Sequence, residues 1–172
     1  EQLIPPPLFI ERPGLIAGSK FKMEPITWIW PGWLAAGKLH ILGGQKGAGK
    51  STLAFSLLAQ LTIGGRWPDN TPAPLGDILI WSGEYDIADT ILPRISAASG
   101  DVSRVWFPDR VSRVDGTSRP FDPAVDIVGL IDACRSLQSL KIILIDPIVS
   151  VTMGDSHNNA ETRRGLQPVV DF

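Results

Sequence analysis

Leu39-His40-Ile41-Leu42-Gly43-Gly44-Gln45-Lys46-Gly47-Ala48-Gly49-Lys50-Ser51 is the stretch on which the fold turns. Its second part, Gly44 to Ser51, matches G-x-x-x-x-G-K-[ST] at every fixed position. The chemistry accounts for the spacing. Glycines let the backbone curl until several N–H groups point inward at phosphate oxygens, where side chains would obstruct. A helix that begins at Lys50 adds its free N-terminal N–H groups and the positive end of its dipole. The Lys50 amine can then reach β- and γ-phosphates, and the Ser51 hydroxyl can ligate magnesium.

Context separates such a loop from a chance glycine-rich turn. Leu39 to Leu42 is a short apolar run that reads as a buried parallel strand. Lys50 to Ile63 places Leu53, Leu57, Leu58 and Leu61 at helical spacing and stops at Gly64-Gly65. Gly44, Gln45, Lys46, Gly47, Ala48, Gly49, Lys50, Ser51 and Thr52 are therefore the candidate nucleotide-binding residues, with ATP and magnesium as the implied ligands. Lys46 is open between a surface lysine and an extra phosphate contact.

Further along, Arg66 to Gly76 holds three prolines and reads as a loop, and Asp77 to Trp81 as the second strand. Ile87 to Ala98 reads as a helix closed by Gly100, with Asp86 as its cap, and Val105-Trp106-Phe107 as a short third strand. Asp122-Pro123 pairs an N-cap with a proline at the first helical position, opening a helix to about Leu140. Lys141 to Asp146 is the fourth strand. Pro147 to Asn159 reads as a loop, and Asn158 with Glu161 as a capping box for a last helix. Strands alternating with helices imply an α/β fold, a mostly parallel sheet with helices on both faces.

Two carboxylates complete the chemistry. Asp146 ends the fourth strand after Ile142 to Ile145, which would bring it to the carboxyl edge of the sheet beside the phosphate loop, as a Walker B aspartate holding magnesium. The bland alternative is an aspartate that merely starts a turn at Pro147. No glutamate follows Asp146, so the base must come from elsewhere. Glu84, three residues beyond the second strand, is the candidate to orient and deprotonate water; its alternative is a solvated loop glutamate. Lys50 and Glu84 are thus the candidate catalytic residues, and Ser51 and Asp146 the candidate metal ligands. Arg94 is open.

The totals are compatible with this reading. The chain has 172 residues, 44% hydrophobic and 20% charged, a globular balance with room for one α/β domain. A net charge of −2 provides no global basic field for nucleic acid. Cys134 is the single cysteine, which excludes an internal disulfide and fits a reducing, cytoplasmic setting. No stretch has the roughly 20 apolar residues of a membrane span. Residues 1–20 read as a Pro/Gly-rich leader and 21–172 as the globular domain. Trp28, Trp30 and Trp33 crowd around Pro31-Gly32, either to cover a core edge or to stack a base. His40 reads as structural and Trp106-Phe107 as core.

Together the phosphate loop, Ser82-Gly83-Glu84-Tyr85-Asp86, the strand ending at Asp146-Pro147, and the segment Gly154 to Arg164 with Leu166-Gln167-Pro168 resemble RecA-type ATPases of phage and plasmid replication modules. The RepA-like hexameric helicases, related to the DnaB motor, are the most similar group. The resemblance implies a RecA-like P-loop NTPase fold, Asp146 as Walker B, Glu84 as catalytic glutamate, a homo-hexameric ring and single-stranded DNA as partner. It places a DNA-facing segment at about Val149 to Asn159, where no lysine or arginine occurs; Arg163 and Arg164 either supply charge or form a solvated helix face. The family has further strands, a sensor residue and an arginine for the neighbouring site, which would lie beyond Phe172. The expectation is a C-terminally truncated domain that hydrolyses ATP poorly on its own. Two other readings compete: a nucleotide-dependent switch without unwinding, for which Glu84 is dispensable, and a small-molecule kinase, for which no arginine-rich lid is found.

Overall fold

The computed structural model describes residues 14–148. In chain order the elements are strands β1 (Trp28–Trp30) and β2 (Leu34–Ala35), helix α1 (Lys50–Ile63), strand β3 (Asp77–Ser82), helix α2 (Leu92–Ala97), strands β4 (Val105–Trp106), β5 (Val111–Ser112) and β6 (Ser118–Arg119), helix α3 (Pro123–Cys134) and strand β7 (Leu140–Asp146). The central sheet is parallel, ordered β4-β3-β7, with Ile78 to Ser82 in register against Ile142 to Asp146.

Alternation along β3 builds a core on each side of this sheet. Ile78 and Ile80 point to one face and join Phe55, Leu58 and Leu61 of α1 with Ile91 and Ile95. Leu79 points to the other and meets Ile127, Leu130 and Cys134 of α3. β7 repeats the pattern, Ile142 and Leu144 on the first face, Ile143 and Ile145 on the second. Each large side chain so buried stabilises the fold by about 1.5–3 kcal/mol. The expected α/β architecture with helices on both faces is thus present. Among the described residues no helix is long and apolar enough to cross a membrane.

Helix α1 has the expected bounds and buries Phe55, Leu58, Ala59, Leu61 and Thr62, a stripe built on the i, i+3, i+4, i+7 series from Phe55; Leu53 lies outside it and is exposed. Gly64, in the left-handed region at φ 60°, ends the helix. Thr62 is the buried polar residue of this face. Its hydroxyl donates to the Ala59 carbonyl at 2.7 Å and accepts from Asp101 N–H at 2.8 Å, tying α1 to the turn before β4.

Several expectations are corrected. Leu39 to Leu42 is not a strand: Ile41 is 69% and Leu42 51% exposed, and among the described residues β7 has no partner on its outer edge. A strand needs a neighbour for its N–H and C=O groups, and among the described residues none pairs with this run. The helix from Pro123 ends at Cys134 rather than near Leu140, because Leu140 already pairs with Asp77 and turns at Ser136 and Leu137 close the helix. The helix from Ile87 opens with a wide turn in which Ile91 N–H reaches back to Asp86 and Leu92 N–H to Ile87, each five residues away. Pro93, which has no N–H to continue a four-residue ladder, accounts for the slip. Trp106 is not core: it is exposed, its indole N–H 3.3 Å from the Asp77 carboxylate.

Two hairpins were unforeseen. β1 and β2 fold about Pro31-Gly32, with Gly32 at φ 77°. β5 and β6 fold about Asp115-Gly116, a turn pair that the sequence does display. The Asp122 cap is as expected, its carboxylate accepting from Ala124 N–H at 3.0 Å. The capping box at Asn158, the loop from Val149 and Arg163-Arg164 lie outside the described residues.

Candidate functional site

The phosphate-loop sequence folds as a tight turn into the start of α1. Ala48 N–H donates to the Gln45 carbonyl at 3.2 Å, and Gly47 and Gly49 both take φ of 81°, a left-handed backbone that side-chain-bearing residues rarely adopt. Gly49 occupies the helix cap position without any side-chain cap, and no acidic residue stands in the first turn. The α1 N-terminus is therefore free to receive an anion. Lys50 folds back over the loop, its Nζ donating to the Gln45 carbonyl at 2.9 Å. That amine needs only a small swing to trade a carbonyl oxygen for a phosphate oxygen. Lys46 and Thr52 are exposed at the loop and the first helical turn.

Asp146, the last residue of β7, meets this helix end. Ser51 Oγ donates to Asp146 Oδ2 at 2.8 Å, in a part-buried position. Strand and helix thus deliver an alcohol and a carboxylate to one point at the carboxyl edge of the sheet. Two oxygen donors suit magnesium, which takes oxygen ligands and fills its octahedron with phosphate and water. No group of three or more His, Cys, Asp or Glu is gathered among the described residues, so a divalent ion would depend on such outside oxygens. The donor set fits a nucleotide-borne magnesium ion.

Glu84 is carried by the loop that leaves β3. Ser82 lies in register with Asp146, and the next residue, Gly83, donates its N–H to the Asp146 carbonyl at 2.9 Å. The Ser82 hydroxyl then accepts from Glu84 N–H at 3.2 Å and Tyr85 N–H at 3.0 Å, which turns the chain at once. Glu84 emerges exposed beside the Asp146 strand end. A Cβ at Gly83 would come within 2.9 Å of the Trp81 ring, so a larger residue there would push the indole aside.

Tyr85 anchors the far side of that turn. Its ring meets Phe55 of α1 edge-on with centroids 6.3 Å apart, and the Arg94 guanidinium lies over it at 4.9 Å. Arg94 is therefore placed as a cation–π partner. Asp86 caps the following turn, accepting from Ala88 N–H at 2.7 Å and Asp89 N–H at 3.1 Å. Sequence reasoning missed Ser82 and Tyr85; the signal was a hydroxyl two residues before Glu84, the residue type that turns backbone locally.

The remaining singled-out residues are structural. His40 Nε2 accepts from Ala35 N–H at 3.0 Å and ties the first hairpin to the run before the phosphate loop. Cys134 is buried against α3's face of the sheet, and burial pushes its thiol pKa up. Trp30 and Trp67 are buried and stacked at 5.0 Å, so they cover a core edge.

Among known protein families, a model described as an AAA domain matches residues 5–172. No curated protein and no solved structure matches the chain.

Proposed function

Starting from the fact that the chain belongs to the AAA domain family and is a P-loop ATPase domain, we propose that it is the motor of a replicative helicase or translocase acting on single-stranded DNA. In this reading Gly44 to Thr52 cradle the phosphates of ATP, Ser51 and Asp146 hold magnesium, Lys50 neutralises β- and γ-phosphate charge, and Glu84 orients and deprotonates the attacking water. When bound, magnesium withdraws charge from the transferring phosphoryl group. The working form is a homo-oligomeric ring, since domains of this family commonly oligomerise.

The observation that supports hydrolysis over mere binding is the path from Ser51 to Glu84. Ser51 bonds Asp146, Asp146 bonds Gly83 through its carbonyl, and Glu84 is the next residue. A module that only binds nucleotide has no use for a base on that loop. The RepA-like character rests on the resemblance of the sequence segments.

Steady-state ATP hydrolysis with and without single-stranded DNA tests the reading, with Lys50→Ala as the blank. DNA-stimulated turnover that disappears in the Lys50→Ala protein is the expected result. Tight ATP binding with no DNA-dependent turnover would transfer the assignment to a switch.

A further inference from the structure

The first hairpin ends in an aromatic stack that runs from the core into solvent. Trp67 is buried, Trp30 stacks on it at 5.0 Å and 12°, and Trp33 stacks on Trp30 at 5.3 Å and 26°. The inner rings are pinned by their N–H groups: Trp30 donates to Asp69 at 2.8 Å and Trp67 to the Ile29 carbonyl at 3.3 Å. Trp33 closes the stack yet is 66% exposed. With one face against Trp30, exposure of that extent means its other face is open. A large aromatic ring held rigidly and left uncovered is a platform for another flat ring. Trp28, paired with Ala35 across the hairpin, is also exposed.

The stretch of sequence that carries this platform opposes the charge balance of the chain. Lys20, Lys22 and Lys38 are all exposed, and none has an acidic partner within ion-pair distance among the described residues. Between residues 14 and 46 the only acid is Glu24, whereas the whole chain carries −2. Asp69, the acid nearest the stack, is engaged by Trp30 and by Thr71 N–H at 3.0 Å. Six residues along the chain lead from Lys22 to Trp28, so at most about 20 Å separates them. Free cations on the same short segment as open aromatic faces make up the combination that binds single-stranded nucleic acid without reading its sequence.

We propose that the open face of Trp33, with Trp28, Lys20, Lys22 and Lys38, is a contact surface for single-stranded nucleic acid, separate from the segment beyond Val149. Trp33 stacks a base and the lysines take backbone phosphates. A protein partner fits less well, because it would leave three lysines to find carboxylates, whereas a polynucleotide supplies both flat rings and regularly spaced anions. The inference rests on the motor reading above and adds a second place where the strand is held.

The test is fluorescence anisotropy of a labelled 20-nucleotide oligothymidylate against the protein, with magnesium and a non-hydrolysable ATP analogue present. Trp33→Ala is expected to weaken binding on the order of tenfold, and Trp33→Phe to restore most of it. Lys20→Ala/Lys22→Ala is expected to make the slope of log affinity against log salt shallower by about 1.4. Basal ATP hydrolysis is unchanged in all of these variants. If the parent protein binds the oligonucleotide and every variant binds with the same affinity and salt slope, the surface is wrong and the motor reading survives. If the parent protein does not bind it at all, both are wrong. A rise in the KM for ATP in Trp33→Ala, with oligonucleotide binding intact, would assign the ring to adenine and overturn the proposal.

Discussion

Ser51 and Asp146, ninety-five residues apart in sequence, share a hydrogen bond of 2.8 Å from the first turn of α1 to the last residue of β7. The bond closes the phosphate loop onto the sheet and presents two oxygen donors side by side. Asp146→Asn keeps the shape but removes the charge. It is expected to raise the magnesium concentration for half-maximal turnover by about 10- to 100-fold, the range for groups that position a metal's ligands. A magnesium titration of ATP hydrolysis checks this, and an unchanged midpoint would refute a metal role for Asp146.

Glu84→Gln separates binding from turnover. The variant preserves the local turn, which is made by Ser82 Oγ and backbone N–H groups rather than by the glutamate side chain. ATP affinity is expected to stay within a few-fold while turnover falls roughly 10²- to 10⁴-fold. Calorimetric ATP binding beside steady-state hydrolysis gives both numbers; undiminished hydrolysis would remove Glu84 from the mechanism.

Gly100→Ala tests the packing of α1 against α2. A Cβ at Gly100 would stand 2.9 Å from Ala59 Cβ, 3.0 Å from Ala59 Cα and 2.7 Å from Ile95 Cγ2. Two of those neighbours belong to a helix that cannot retreat without opening the core. Overpacking of this kind costs about 1–3 kcal/mol, so thermal melting is expected to fall by several degrees. An unchanged melting temperature would mean that the two helices are less closely packed than these distances imply.

The pair Arg119–Asp126 predicts an acid-sensitive contribution to stability. Arg119 grips Asp126 through two bonds of 2.6 Å, fastening the β5–β6 hairpin to α3, and Asp122 N–H adds a third at 2.8 Å. The Arg119 bonds hold the Asp126 carboxyl below its ordinary range. A depressed carboxylate stabilises the fold above its unfolded pKa, about 4, and that contribution is lost as the pH falls through the lower folded value. Asp126→Asn is therefore expected to be less stable than the parent at neutral pH, with the gap closing in acid. Urea melts at a series of pH values report it; a gap independent of pH would assign the effect to shape rather than charge.

What was legible in the sequence and what was not divide along physical lines. The phosphate loop, α1 with its bounds, β3, β7 and the caps at Asp86 and Asp122 could be read because each is encoded locally, by glycines, period-2 or helical spacing, and capping residues. The meeting of Ser51 and Asp146 was legible only because the strand-loop-helix pattern dictates where strands end. The run from Leu39 to Leu42 has the composition of a strand, but strand formation requires a neighbour, and composition carries no information about which segment lies alongside. The same limit hid the placement of Tyr85 between Phe55 and Arg94, a contact among three elements.

The register between β3 and β7 has a mechanical consequence. Ser82 stands opposite Asp146, and Gly83 continues the bonding by one more residue. Neighbouring strands lie about 4.8 Å apart and advance about 3.3 Å per residue. The sheet therefore acts as a ruler between the backbone of Asp146 and the start of the Glu84 loop, its graduations set by peptide geometry rather than by side chains. Loop substitutions can tilt Glu84, whereas a one-residue slip of β3 against β7 would turn Ile78, Leu79 and Ile80 to the opposite faces of the sheet.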